Sequence, residues 1–180
     1  MPTIVIPYRG DAKQRLPAPI RAAAAVAMLG DVVAAALAVG RVIVVTDDPS
    51  GVPLDVEVVE DSGEGLGAAV TAWLARVQGH ALVVNADLPG ATPAAIVALA
   101  ARGLALVEAR DGTTNALSLP DPSVFEPLYG PGSADRFRAH APFITAEIVE
   151  LQEDVDSASD LERLVPLLGP RTRALLAVTA

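Results

Sequence analysis

The chain has 180 residues, 52% of them hydrophobic, with no Cys, two His and a net charge of −9; that length fits one domain with a substantial core. The lack of Cys excludes disulfides, thiolate metal sites and a cysteine nucleophile, and His80 and His140 leave little for a histidine metal site. So acidic a chain lacks the basic face that nucleic-acid binding needs, and an anionic small substrate would have to be met by local Lys and Arg or by a divalent cation.

In chain order, the apolar residues at 3–7 predict a first strand; they carry no basic n-region and no small-residue cleavage site, so they do not read as a signal peptide. The loop at 8–17 then brings Arg9, Gly10, Lys13 and Arg15 together. Such a loop can wrap a polyphosphate, with backbone N–H groups approaching through the glycine and the cations neutralising charge. It is not a P-loop, since no Gly-Lys-Ser/Thr follows, and its plainer reading is a solvated basic loop. A helix is predicted over 19–38, Ala-rich at 22–25 for close packing on a sheet, followed by strands at 42–46 and 56–59. Asp61-Ser62-Gly63-Glu64-Gly65-Leu66-Gly67 opens a helix over 65–77. Asp61, Gly63 and Gly65 form either a capped turn or a glycine-lined slot in which a flat base reaches backbone groups.

The run 81–85 reads as a buried parallel strand, and ligands of open α/β sheets gather outside the carboxyl ends of such strands, where Asp87 stands. A helix over 93–101 starts with Thr92 as N-cap and Pro93 at the first position; strands follow at 104–109 and 115–119, a helix at 133–139 and a strand at 145–151. Asp154 and Asp156 come next, and at i, i+2 in an extended stretch both carboxylates lie on one face. Ser157 and Asp160 form a capping box for a helix over 157–168, and the tail 171–180 adds a last helix turn or strand. With Thr92 and Ser157 as caps, Asp87 and Asp156 are not needed in that role. Three carboxylates at two strand ends suggest a magnesium site, against the plainer reading of loop acids kept for solubility.

The alternation of strands and helices predicts an α/β fold with a mainly parallel central sheet flanked by helices. The short elements after Asn115 read as an insertion at about 111–143 flanking the site, within a single domain spanning 1–180. Arg, Asp, Gly or Pro interrupts each apolar run before it reaches the length of a membrane span, so a soluble, cytoplasmic protein is expected, with neither membrane nor nucleic acid as partner. A homodimer stays open.

Taken together, Arg9-x-x-x-Lys13-x-Arg15-Leu16, Asp61-Ser62-Gly63-x-Gly65-Leu66, Asp87-Leu88-Pro89, Gly112-Thr113-Thr114-Asn115-Ala116-Leu117, Gly130-x-x-Ser133 and Asp154-Val155-Asp156-Ser157 resemble, in order, the motifs of the 2-phospho-L-lactate or phosphoenolpyruvate guanylyltransferases. The resemblance covers nearly the whole chain. It implies a Rossmann-like, GT-A-like nucleotidyltransferase that moves GMP from GTP to a phosphorylated three-carbon acid with magnesium, in the biosynthesis of the deazaflavin coenzyme F-420. It further implies that Lys13 and Arg15 bind the β- and γ-phosphates, that Asp87, Asp154 and Asp156 hold the metal, and that Thr114, Gly130 and Ser133 hold the acceptor. Without the resemblance, Gly112-Thr113-Thr114 is a hairpin turn and Ser133 an N-cap. The chain departs from the family pattern with Arg9 for Lys and Gly67 for Asn, and His140 falls outside the site. Two alternatives remain, another metal-dependent nucleotidyltransferase using CTP or a sugar-nucleotide, and a non-catalytic nucleotide-binding protein.

Overall fold

A computed structural model describes residues 1–10, 15–61 and 65–179. Apolar β-branched runs form the strands β1 (Thr3–Tyr8), β2 (Arg41–Thr46), β3 (Glu57–Glu60) and β4 (Ala81–Val84), with the helices α1 (Ala18–Leu37), α2 (Leu66–Leu74) and α3 (Pro93–Ala100) between or after them. The strands β5 (Ala105–Glu108) and β6 (Thr114–Leu119) make a hairpin, followed by α4 (Ser133–His140), a two-residue β7 (Ile144–Thr145), α5 (Val149–Gln152), α6 (Ala158–Arg163) and α7 (Pro170–Thr179).

One seven-stranded sheet runs in the order β3-β2-β1-β4-β6-β5-β7, parallel except for β6, which is antiparallel to both neighbours. The side chains of the central strands alternate between two cores, as the period of a strand requires. Ile4, Ile6, Val42, Val44, Leu82 and Val84 face a layer with α1 and α3, while Val5, Ile43, Val45, Ala81 and Val83 face a layer with α2 and α4. Because β6 runs backwards, its first residue, Thr114, lies at the same edge as the carboxyl ends of β1 and β4. The topology therefore gathers residues from both halves of the chain at one edge.

Two predicted elements change. The stretch 145–151 is not a strand: β7 pairs with β5 at two positions only, Ile144 and Thr145. The backbone then turns helical, with Leu151 N and Gln152 N donating to Ile148 O at 2.9 and 3.1 Å. Four-residue β5 offers too short a ladder, and burial of Ala146, Ile148 and Leu151 is served by one extended step and one helical turn. The predicted helix over 157–168 is α6 plus a run of turns, and the tail is a helix rather than a strand. The capping box at Ser157 and the Thr92 cap both form.

By length and composition α1 could cross a membrane, contrary to expectation, yet 56% of its apolar window is buried within the fold. It packs against α7, β2, α3 and β1. A buried carboxylate joins α1 to α7: Asp31 accepts from Arg171 N at 3.0 Å, Thr172 N at 2.9 Å and Thr172 Oγ1 at 2.8 Å, and so caps the start of α7. Asp31→Asn retains the shape but faces one of those donors with an amide N–H, and should cost about 2 kcal/mol, read as a drop of roughly 6 °C in melting temperature.

Candidate active site

The site begins at the end of β4. Asn85 N donates to Asn115 O at 3.0 Å and Asn85 Nδ2 to Thr114 O at 3.2 Å, which fixes the turn leading to Asp87 against the start of β6. Asn115 in turn donates through Nδ2 to Leu151 O at 3.1 Å and ties down the end of α5. Val155 N donates to Asp87 O at 3.1 Å, while the Val155 side chain is fully buried in a cluster with Leu16, Met28 and Leu161. Alternate residues of an extended segment face opposite ways. With Val155 turned into the core, Asp154 and Asp156 turn out toward Asp87.

The three half-buried carboxylates each bring one oxygen within 4.8 Å of the other two. A set of hard oxygen donors without thiolate or imidazole suits magnesium or manganese and not a soft metal. Leu16, buried against Val155, also sets the position of Arg15, whose Nη1 lies 4.0 Å from Asp156 Oδ2.

Immediately before the acidic pair, Glu153 is buried and pinned from two sides. Arg110 Nε donates to its Oε1 at 2.6 Å and Arg163 Nη1 to its Oε2 at 2.5 Å. Burial works to raise the Glu153 carboxyl pKa, but hydrogen bonds and charge from Arg163 and Arg110 outweigh it and hold the group below the ordinary range. Arg163 also reaches Asp160 Oδ1 at 3.1 Å, and Asp160 Oδ2 accepts from Ser157 N and Asp156 N. The acidic segment is thus clamped to the β5–β6 hairpin and to α6.

Beside Asp87 opens a cleft of about 400 Å³, lined on the sheet side by Tyr8, Arg9, Asn85 and Ala86 and on the helix side by Met28, Leu66, Gly67 and Val70. Asp61 Oδ1 accepts from the N–H of Gly65, the residue before α2, at 3.2 Å. Pro127 and Tyr129, from the segment between β6 and α4, complete the wall. A Cβ on Gly67 would stand 2.8 Å from Pro127 Cβ, so the glycine is what lets this segment close on α2. Lys13 and Gly63 lie outside the described residues.

The three acceptor candidates come together at the start of α4. Ser133 Oγ donates to Thr114 Oγ1 at 3.1 Å, and both residues are buried, while Gly130 is exposed in the left-handed region at φ +106°. Ser133 is not the N-cap; Gly132 is, and Ser133 is the first helical residue. Two N–H groups of that helix start are already used, Ser133 N on Gly130 O at 3.0 Å and Ala134 N on Gly112 O at 3.2 Å. They are not spare donors for an anion. The turn is held from outside by Arg136, which donates to the carbonyls of Leu128, Tyr129 and Pro131. His140 bonds Val124 O, away from the trio. Asn115, Glu153, Arg136 and Tyr129 escaped the sequence reading; the hydrogen-bond partners of the first three lie between 5 and 43 residues away, and the one signal was Asn115 within Thr-Asn-Ala-Leu.

A carboxylate trio thus stands at the carboxyl edge of a mostly parallel sheet, beside a cleft that Arg9 lines, and the comparisons show the class of protein to be a nucleotidyltransferase. The family model for the MobA-like NTP transferase domain matches residues 16–150. A phosphoenolpyruvate guanylyltransferase of Thermomonospora curvata is 38% identical over 88% of this chain and 79% of its own length, and a 2-phospho-L-lactate guanylyltransferase of Natrialba magadii is 33% identical over 88% and 80%. The chain belongs to this family of phosphoenolpyruvate and 2-phospho-L-lactate guanylyltransferases, within the MobA-like class. A nucleotide-diphospho-sugar transferase structure from Desulfovibrio desulfuricans G20 shares the fold with a TM-score of 0.73 at 16% identity, covering 99% of this chain and 96% of its own.

Proposed function

We propose that the chain transfers GMP from GTP to a phosphorylated three-carbon acid, phosphoenolpyruvate first among them, in the biosynthesis of the deazaflavin coenzyme F-420. The observation that carries this reading is the carboxylate trio Asp87, Asp154 and Asp156 beside the cleft, in a chain whose 38%-identical relative is named for phosphoenolpyruvate. An oxygen of the acceptor's phosphate attacks the α-phosphorus of GTP, a new phosphoanhydride forms, the bond to the β-phosphate breaks, and pyrophosphate leaves. The acceptor phosphate is ionised at neutral pH, so no general base is required.

Asp87, Asp154 and Asp156 hold magnesium, which when bound screens the two anionic reactants from each other. Arg9, Lys13 and Arg15 face the triphosphate, with Lys13 and Arg15 stabilising the departing pyrophosphate. Asp61, Gly63 and Gly65 shape the turn under the base, and Gly130, Ser133 and Thr114 hold the acceptor within the 111–143 segment.

Pyrophosphate release from GTP with phosphoenolpyruvate, 2-phospho-L-lactate and 3-phosphoglycerate in turn tests the reading; release with none of them, or equal release from CTP, would overturn it. Ser133→Ala removes the hydroxyl bonded to Thr114 and should raise the acceptor KM roughly tenfold, about 1–2 kcal/mol, with GTP affinity nearly unchanged. A fall in GTP affinity instead would move Ser133 to the nucleotide side.

A further inference from the structure

Asn85 carries an amide of which the fold uses only one half. It follows β4 directly and lines the cleft, two residues before Asp87. Its Nδ2 donates to Thr114 O at 3.2 Å, and its backbone N–H to Asn115 O at 3.0 Å. A backbone carbonyl only accepts, so the bond to Thr114 fixes which way round the amide sits. The other half, Oδ1, makes no hydrogen bond among the described residues and stays open to solvent on a half-buried residue. The strand order says where that oxygen looks. β4 lies between β6 and β1. Nδ2 is turned to β6 and the two branches of a planar amide diverge, so Oδ1 is turned to the β1 side, where Pro7, Tyr8 and Arg9 line the same cleft.

An oxygen that only accepts needs a donor, which narrows what it can meet. Ionised phosphates and carboxylates offer none, and phosphoenolpyruvate carries no other polar group. In a nucleoside triphosphate the donors are the ribose hydroxyls and the N–H groups of the base. Reach separates these two. Asp87 belongs to the trio placed at the α-phosphate, and two residues of chain span at most about 7 Å. The sugar is joined directly to that phosphate, while the base lies beyond it. A flat base also finds apolar surface across the cleft, at Leu66, Gly67, Val70 and Pro127.

We propose that Asn85 reads the ribose of the donor nucleotide, its Oδ1 accepting from a sugar hydroxyl while its Nδ2 stays on Thr114 O. The proposal rests on the guanylyltransferase reading for the identity of the nucleotide. It makes one side chain the link between donor and acceptor, because the amide that holds the sugar also holds the backbone of Thr114, whose hydroxyl bonds Ser133 at 3.1 Å.

The test compares GTP with dideoxy-GTP, which lacks both ribose hydroxyls, by calorimetry with magnesium present, in wild type, Asn85→Ala and Asn85→Ser. Wild type should bind GTP about tenfold more tightly than the dideoxy analogue, and in Asn85→Ala the two affinities should come within about twofold of each other. Loss of the bond to Thr114 weakens both nucleotides alike and cancels in the ratio, which a merely structural role would leave unchanged. Asn85→Ser, whose shorter hydroxyl can still donate to Thr114 O, should close the ratio as well. Inosine triphosphate, which lacks the exocyclic amino group of guanine, is the control for the base: the ratio of GTP to inosine triphosphate affinity should be the same in all three proteins. Wild type that binds GTP and its dideoxy analogue equally, a preference that survives in the variants, or closure of the inosine ratio instead would each overturn the proposal. Wild type that prefers GTP to the analogue through Asn85 but turns over no acceptor would sink the transferase reading and leave this one standing; turnover of phosphoenolpyruvate at equal KM for GTP and the analogue would do the reverse.

Discussion

Asp87→Asn is expected to lower turnover about a thousandfold, roughly 4 kcal/mol of transition-state stabilisation, with little change in GTP KM. The substitution preserves shape, and the contact that fixes the local fold uses the Asp87 carbonyl, which accepts Val155 N–H at 3.1 Å and is untouched. The change is therefore electrostatic. Three carboxylates with oxygens within 4.8 Å of one another repel when no cation lies among them. In chelator, the variant should melt at or above the wild-type temperature. Added magnesium should raise the wild-type melting temperature and not that of the variant, since a ligand stabilises only a state that binds it. Wild-type turnover in Asp87→Asn, or equal stabilisation of both proteins by magnesium, would remove the metal assignment.

What sequence reading reached and what it missed divide by the range of the interactions. The buried strand 81–85 and Asp87 beyond it were legible because a fully apolar run bounded by a turn needs only local information. Asp154 and Asp156 were legible for the same reason: the period of extended backbone puts both acids on one face whether the preceding residues form a strand or not. The strand expected at 145–151 failed because β5, the strand it pairs with, is only four residues long, a fact about the partner and not about the segment. The apolar α1 looked too interrupted to be of membrane length because Asp31 breaks the run, and in the fold that aspartate turns inward to cap a helix 140 residues away. Ser133 resembled a cap by residue type, while in the fold it is buried against Thr114. Tyr129 and Glu153 carried no local signal at all.

Glu153→Ala should be the most destabilising single change near the site, by about 3 kcal/mol or roughly 9 °C in melting temperature. Its carboxylate is 8% exposed and closes a bridge between Arg110 and Arg163, one on the β5–β6 hairpin and one on α6. Surface ion pairs of Lys or Arg contribute little, but truncating this one leaves two guanidinium groups gathered around an empty position. Arg110 relaxes readily, being 71% exposed on its side chain, whereas Arg163 is 39% exposed and still tied to Asp160, so the loss falls mostly on α6. The pH dependence follows from the lowered Glu153 pKa. A carboxyl whose folded pKa lies below its unfolded value, here near the ordinary 4.5, contributes stability that is full well above that pH and is lost as pH falls through the folded pKa. The gap in melting temperature between wild type and Glu153→Ala should therefore be constant from pH 8 to about pH 6 and narrow progressively below pH 4.5. Because Glu153 precedes Asp154 directly, the same variant should weaken manganese binding by about tenfold, the scale on which residues that orient metal ligands act. Glu153→Gln, which keeps an acceptor for one arginine, should fall between the two in both measurements. A melting-temperature gap that stays constant down to pH 3, or manganese affinity that does not move, would show that the arginine pair supports the fold without setting the carboxylates of the site.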